Sequence, residues 1–184
     1  MLKKNKTTKA IFLDRDGIIN KVIMRNGEVS CPWKFNEFEI FPDAKPALKE
    51  FKKMGFLNII FTNQPDVARG FLKMPELEKM HNFIIKELLA DEIKFCPHDD
   101  SDNCSCRKPK PGLILQVAQK WGIDLEQSYV IGDSWKDIGA GKSAGCKTFL
   151  LNREYNKDTN CNHDFAVNNI EEAVEIIKKL NNSN

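Results

Sequence analysis

Four stretches of this 184-residue chain hold residues whose types and spacing could do chemistry. In Ile11-Phe12-Leu13-Asp14-Arg15-Asp16-Gly17, two carboxylates two residues apart point the same way at the end of an extended apolar run. Like charges that close repel unless a cation or a shared proton intervenes. One arrangement resolves this: Asp14 ionised against a divalent metal, and Asp16 turned aside and able to carry a proton. Asp-x-Asp-Gly alone reads equally well as an acidic strand end before a glycine turn. In Phe61-Thr62-Asn63-Gln64, a hydroxyl and an amide could donate to phosphate oxygens, although both are also common turn and cap residues. In Ile131-Gly132-Asp133-Ser134-Trp135-Lys136-Asp137, Asp133 could complete a magnesium site, since that ion takes only one or two carboxylates and keeps several waters. Asp137 could orient Lys108 or a metal-bound water; a helix N-cap with an acid in its first turn would look the same.

The densest stretch is Cys96-Pro97-His98, five residues, then Cys104-Ser105-Cys106. Cys96, His98, Cys104 and Cys106 make a Cys3His set, which suits four-coordinate zinc with no open position, hence a structural ion. The loop Asp99 to Asn103 is polar and lacks an apolar anchor, so metal would supply the order its composition does not. Arg107-Lys108-Pro109-Lys110-Pro111-Gly112 follows directly: three cations in four residues, stiffened by two prolines. A planar Arg107 can grip anionic oxygens in bidentate fashion while Lys108 acts as a point charge, although basic loops before helices are also commonplace.

Elements of regular structure must position these groups. Short apolar runs predict strands at Ala10–Leu13, Leu57–Phe61, Ile93–Phe95, Tyr129–Ile131 and Thr148–Leu151, with a weaker one at Phe165–Val167. Helical spacing predicts helices carrying Ala44 to Met54 up to Gly55, from Pro75 through Leu89, from Pro111 to Trp121, and from about Asn169. Strands alternating with helices mean a parallel sheet covered on both faces, an α/β fold, with ligands outside the carboxyl ends of the strands. All four stretches follow predicted strands, so one crevice would collect them.

Length fits a single domain over residues 1–184, and a net charge of +2 leaves any anion binding local. No apolar run approaches the roughly 18–20 residues of a membrane helix. The Lys- and Thr-rich start from Met1 to Lys9 precedes an apolar run too short for an export signal, so a cytoplasmic protein is expected. Without export, six cysteines argue against a disulfide framework. Cys31, Cys146 and Cys161 read as buried or incidental thiols, and His81 and His163 as surface or packing residues.

Asp14-Arg15-Asp16-Gly17-Ile18-Ile19-Asn20, Thr62-Asn63-Gln64, Lys108 and Gly132-Asp133-x3-Asp137 resemble the four motifs of haloacid-dehalogenase-superfamily phosphatases. With Ala68-Arg69-Gly70, the Cys-Pro-His…Cys-x-Cys loop and Cys106-Arg107-Lys108-Pro109, the resemblance narrows to the histidinol-phosphatase and D,D-heptose 1,7-bisphosphate phosphatase family, over about residues 10–145. It implies a three-layer Rossmann-like sheet of order 3-2-1-4-5 with no large cap domain. It implies Asp14 as nucleophile and Asp16 as general acid and base. Magnesium would be held by Asp14, Asp133 and the Asp16 backbone carbonyl, with Thr62 and Lys108 stabilising the phosphoryl oxygens. Asn20, Asn63, Gln64, Arg107 and Lys108 are the expected substrate contacts, and Asp137 a supporting acid. Three features depart from the family: Ile18 where Thr is usual, a short zinc loop, and a segment from Val22 to Phe38 with its own sequence.

A small phosphorylated sugar is the expected partner, with neither nucleic acid nor membrane and a monomeric state; heptose 1,7-bisphosphate leads and histidinol phosphate is the alternative. Two other classes stay open. A DNA 3′-phosphatase shares several of these motifs but should show a basic, aromatic-lined groove. A non-catalytic, zinc-stapled binding module would not need all five catalytic positions intact.

Overall fold

The structure, a computed structural model, describes residues 8–157 and 160–182. Most of the start read as lacking an export signal, residues 1–7, lies outside them. Six parallel strands form the main sheet: β1 (Lys9–Leu13), β4 (Phe56–Asn63), β5 (Glu92–Cys96), β6 (Tyr129–Gly132), β7 (Lys147–Leu151) and β8 (Phe165–Val167). Their spatial order is β5-β4-β1-β6-β7-β8, the expected 3-2-1-4-5 arrangement with the weakest predicted strand added as a sixth at one edge.

Strand alternation splits the interior into two cores. Ile11 and Leu13 of β1 face α1 (Ala44–Lys53), α2 (Met74–Leu88) and α5 (Ile170–Asn182), where Leu48, Phe51, Ile84 and Ile177 are buried. Ala10 and Phe12 face the other way, onto α3 (Gly112–Trp121) and α4 (Trp135–Ala144), where Ile114, Val117 and Ala140 are buried. The three layers follow directly. No helix among the described residues is long and apolar enough to cross a membrane.

Two elements lie outside the strands and helices predicted from the sequence. α4 has two internal glycines, a poor helix signal by propensity. A Cβ at Gly141 would lie 2.7 Å from Thr148 Cγ2, and one at Gly139 2.9 Å from Pro109 Cβ, so close packing on β7 and on the basic loop selects glycine. The other is a hairpin, β2 (Ile23–Arg25) with β3 (Glu28–Ser30), inside the segment of unusual sequence. Its two-residue turn, Asn26-Gly27, has positive φ at both positions (52° and 83°), as a type I′ turn demands. This hairpin and a 3-10 turn at Phe35–Glu37 are what the chain places between β1 and α1; there is no large cap.

Candidate active site and metal centres

Because all six strands run parallel, the segments after β1, β4 and β6 and the loop after β5 meet at one edge, around a cleft of about 680 Å³. Asp14, Asp16, Thr62, Asn63, Arg107, Lys108 and Asp133 all line it. Lys108 is the hub. Its Nζ donates to Asp14 Oδ1 at 2.7 Å, Asp137 Oδ1 at 2.5 Å and the Phe61 carbonyl at 3.2 Å, which uses all three ammonium protons. Asn63 fixes the Lys108 backbone from across the sheet, its amide accepting from Lys108 N–H at 3.0 Å and donating to Lys108 O at 3.1 Å. Asp137 is fully buried and closes the capping box of α4, its Oδ2 accepting from the Ser134 N–H at 3.0 Å and hydroxyl at 2.6 Å.

Asp14, Asp133 and Asp137 each bring a carboxylate oxygen within 4.8 Å of the others. Three buried carboxylates therefore surround one ammonium, which bonds two of them. The imbalance shows in their protonation. Burial, with the neighbouring carboxylates, raises Asp14 well above the usual carboxylate range and Asp133 to about 7. Burial also works against the Lys108 charge, but Asp137 and Asp14 outweigh it and hold the ammonium above its ordinary value. A divalent cation among these hard oxygens would bring the local charge to zero, so the donor set fits magnesium. Asp137 lies in this group; Asp16, expected there through its backbone carbonyl, does not bring its carboxylate to it.

Asp16 is turned aside, as expected, and held there. Arg15, fully buried, grips it with Nη2 at 2.9 and 2.8 Å, Asn20 Nδ2 reaches Oδ1 at 2.9 Å, and Gln64 Nε2 reaches Oδ2 at 2.7 Å. Here the structure corrects two expected substrate contacts: Asn20 and Gln64 are fully buried behind the cleft, spending their amides on Asp16. The Gln64 amide also donates to Thr62 Oγ1 at 2.9 Å, which leaves the Thr62 hydroxyl proton free for an anion in the cleft. Arg107 lines the cleft while its guanidinium is tied to Asp100 at 2.6 and 3.2 Å and to the His98 carbonyl at 3.2 Å.

In the second cluster, Cys96 Sγ, His98 Nδ1, Cys104 Sγ and Cys106 Sγ approach one another at 3.2–3.6 Å. A zinc–sulfur bond of about 2.3 Å implies a tetrahedral edge of about 3.8 Å, so the soft donors need to open only slightly to fit zinc.

Sequence reasoning missed several groups. Cys31, read as a buried or incidental thiol, lines the cleft and donates to Asp66 at 3.4 Å; Trp33 Nε1 donates to the same oxygen at 2.7 Å, tying the hairpin segment to the loop after β4. His81, read as a surface or packing residue, packs behind the site, its Nε2 3.4 Å from Arg15 Nη1. Arg153, Tyr155 and Asn156 come from a turn after β7 that no motif marks. The hairpin's Asn26-Gly27 dipeptide was the one available local signal for that region.

Residues 19–145 match the family model for haloacid dehalogenase-like hydrolases. The chain belongs to that family. Among relatives of this hydrolase, a D-glycero-beta-D-manno-heptose-1,7-bisphosphate 7-phosphatase of Helicobacter pylori is 40% identical over 151 residues, covering 79% of this chain and 84% of its own. A D-glycero-alpha-D-manno-heptose-1,7-bisphosphate 7-phosphatase of Campylobacter jejuni is 32% identical over 177 residues, covering 94% and 97%. Among solved structures, a D,D-heptose 1,7-bisphosphate phosphatase from B. bronchiseptica, complexed with magnesium and phosphate, superposes with a TM-score of 0.80 at 25% identity, covering 95% of this hydrolase and 99% of that chain.

Proposed function

We propose that this hydrolase cleaves a phosphomonoester of a small sugar, the 7-phosphate of D-glycero-D-manno-heptose 1,7-bisphosphate. The observation that carries the chemistry is Asp14 held on the cleft floor by Lys108, with Asp16 turned aside next to it. The substrate is carried by the names of relatives that align over most of the chain.

Asp14 attacks phosphorus, the ester P–O bond breaks, and the departing sugar oxygen takes a proton from Asp16. Water then attacks phospho-Asp14 and gives its proton to Asp16, releasing inorganic phosphate and restoring the Asp14 carboxylate. Thr62 would donate its hydroxyl proton to an equatorial oxygen, where phosphoryl transfer gathers charge, and Lys108 would turn one of its three ammonium protons from a present partner to another such oxygen. Arg107, at the cleft wall, discriminates the sugar end. Asp14 and Asp133, with the Asp16 backbone carbonyl, would hold magnesium, which supplies neutralisation of the transferring phosphoryl charge. Cys96, His98, Cys104 and Cys106 would hold zinc as a structural ion that steadies the loop leading to Arg107 and Lys108. We read the enzyme as a cytoplasmic monomer of one domain that works without a nucleic-acid partner.

The test is phosphate release from the alpha and beta anomers of heptose 1,7-bisphosphate, from histidinol phosphate and from a 3′-phosphorylated oligonucleotide, with and without magnesium. Magnesium-dependent release from a heptose bisphosphate exceeding that from the others is expected. Faster release from either of the others would overturn the substrate, and no release from any would overturn the chemistry.

A further inference from the structure

Tyr155 lies outside every sequence motif, yet it touches the acid site. β7 neighbours β6, so its carboxyl end opens on the same crevice, and a 3-10 turn at Glu154–Asn156 follows almost at once. Three side chains reach back from this turn. Arg153 Nε and Nη2 donate to the Gly17 carbonyl at 2.9 and 2.7 Å. Asn156 Nδ2 donates to the Asp133 carbonyl at 2.6 Å and to the Leu151 carbonyl at 2.9 Å, while its Oδ1 accepts from Arg153 N–H at 2.7 Å and closes the turn. The Tyr155 hydroxyl donates to Asp133 Oδ2. The turn thus holds the loops after β1 and β6 together, and it does so at close quarters: a Cβ on Gly17 would overlap both Asp133 Oδ2 and Tyr155 Oη.

We infer that the 153–156 turn is a positioning element for the cation site, and that Tyr155 selects which oxygen of Asp133 is offered to the metal. A carboxylate can rotate about its Cβ–Cγ bond and present either oxygen. A phenol fixed on Oδ2, with the Asp133 backbone held by Asn156, stops that rotation and leaves Oδ1 to turn toward the cation. Tyr155 is a positioning residue here: it acts through Asp133. Its ring lines the cleft and is partly exposed, so removing the hydroxyl leaves the packing in place. The inference rests on the reading of Asp133 as a magnesium ligand.

Calorimetric titration of the whole chain with magnesium chloride, without substrate, tests it on wild type, Tyr155→Phe, Asp133→Ala and Tyr129→Phe. Tyr155→Phe should weaken magnesium binding by about tenfold, the lower end of what loss of an outer-shell partner costs. Asp133→Ala should abolish binding, and Tyr129→Phe, which alters the chain's one other tyrosine, should leave it unchanged. Magnesium should also perturb the tyrosine ultraviolet band in wild type and not in Tyr155→Phe. At saturating magnesium, the KM of Tyr155→Phe for a phosphate ester should stay near wild type. Wild-type magnesium affinity in Tyr155→Phe, with binding lost in Asp133→Ala, would overturn the inference alone. Wild-type affinity in Asp133→Ala would instead overturn the reading of Asp133 on which it stands.

Discussion

The Cys3His loop and the carboxylate cluster are both suited to hold a cation, and they assemble it by opposite routes. The four soft donors come from eleven consecutive residues, Cys96 to Cys106, which one loop folds together. The carboxylates of Asp14 and Asp133 follow two strand ends more than a hundred residues apart, Asp137 sits in the first turn of α4, and Lys108, which ties two of the three, comes from a third loop. Beyond Cys96, which ends β5, the loop can be disturbed with little effect on the sheet, whereas Asp14 and Asp133 directly follow core strands. Damage to the acid site should therefore be chemical and complete, and damage to the loop positional and partial. The two regions still touch: Arg107 binds Asp100 and the His98 carbonyl inside the loop, and Lys108 is the next residue.

The largest effect should come from the acid site. Asp14→Asn is isosteric, and phosphate release should fall to the assay background, while the melting temperature holds or rises because one of three buried carboxylates is neutralised. Asp16→Ala should lower kcat by about 10²–10⁴-fold, the usual worth of a general acid or base. Measurable wild-type turnover in Asp14→Asn would break the comparison at its first term.

An intermediate effect should come from the loop. Plasma emission on protein purified without chelator should find zinc, and Cys104→Ser should lower it. With magnesium restored, the zinc-depleted protein should keep its sheet by circular dichroism yet lose up to about 100-fold in kcat/KM, the scale expected when a reacting group shifts by an ångström. Asn63 still grips the Lys108 backbone, so the loss should stay short of that in Asp14→Asn. Equal losses in the two would mean the loop is as integral to the chemistry as the strand ends.

The smallest effect on activity concerns the wall behind Asp16. Burial, with the Arg15 guanidinium beside it, holds His81 down to about 3. The unfolded chain would protonate this histidine near pH 6.5, so between those values the unfolded state binds more protons and stability rises with pH. Folding stability should fall as pH drops from about 6.5 toward 3, by up to about 1.4 kcal/mol per pH unit from this group. Urea titrations of His81→Gln should show a flatter slope, with little change in phosphate release at neutral pH. An unchanged slope would remove His81 from the acid site's back wall.

Sequence by itself determined the strands, because buried parallel strands must be short apolar runs. It determined the Cys3His cluster, because the proximity of Cys96, His98, Cys104 and Cys106 is already present along the chain. It also determined which acids and hydroxyl stand at strand ends and that a cation follows in the loop after β5, because a parallel sheet points all those ends one way. Tertiary structure alone decided how the polar groups are paired. Asn20 and Gln64 serve Asp16 from behind the cleft, Asp137 joins the buried acids, α4 forms despite its glycines, and Tyr155 reaches Asp133 from the next strand. Each of these depends on sheet order and on how closely two backbones approach. Local periodicity records whether a residue faces inward but carries no information about which distant residue it will meet there.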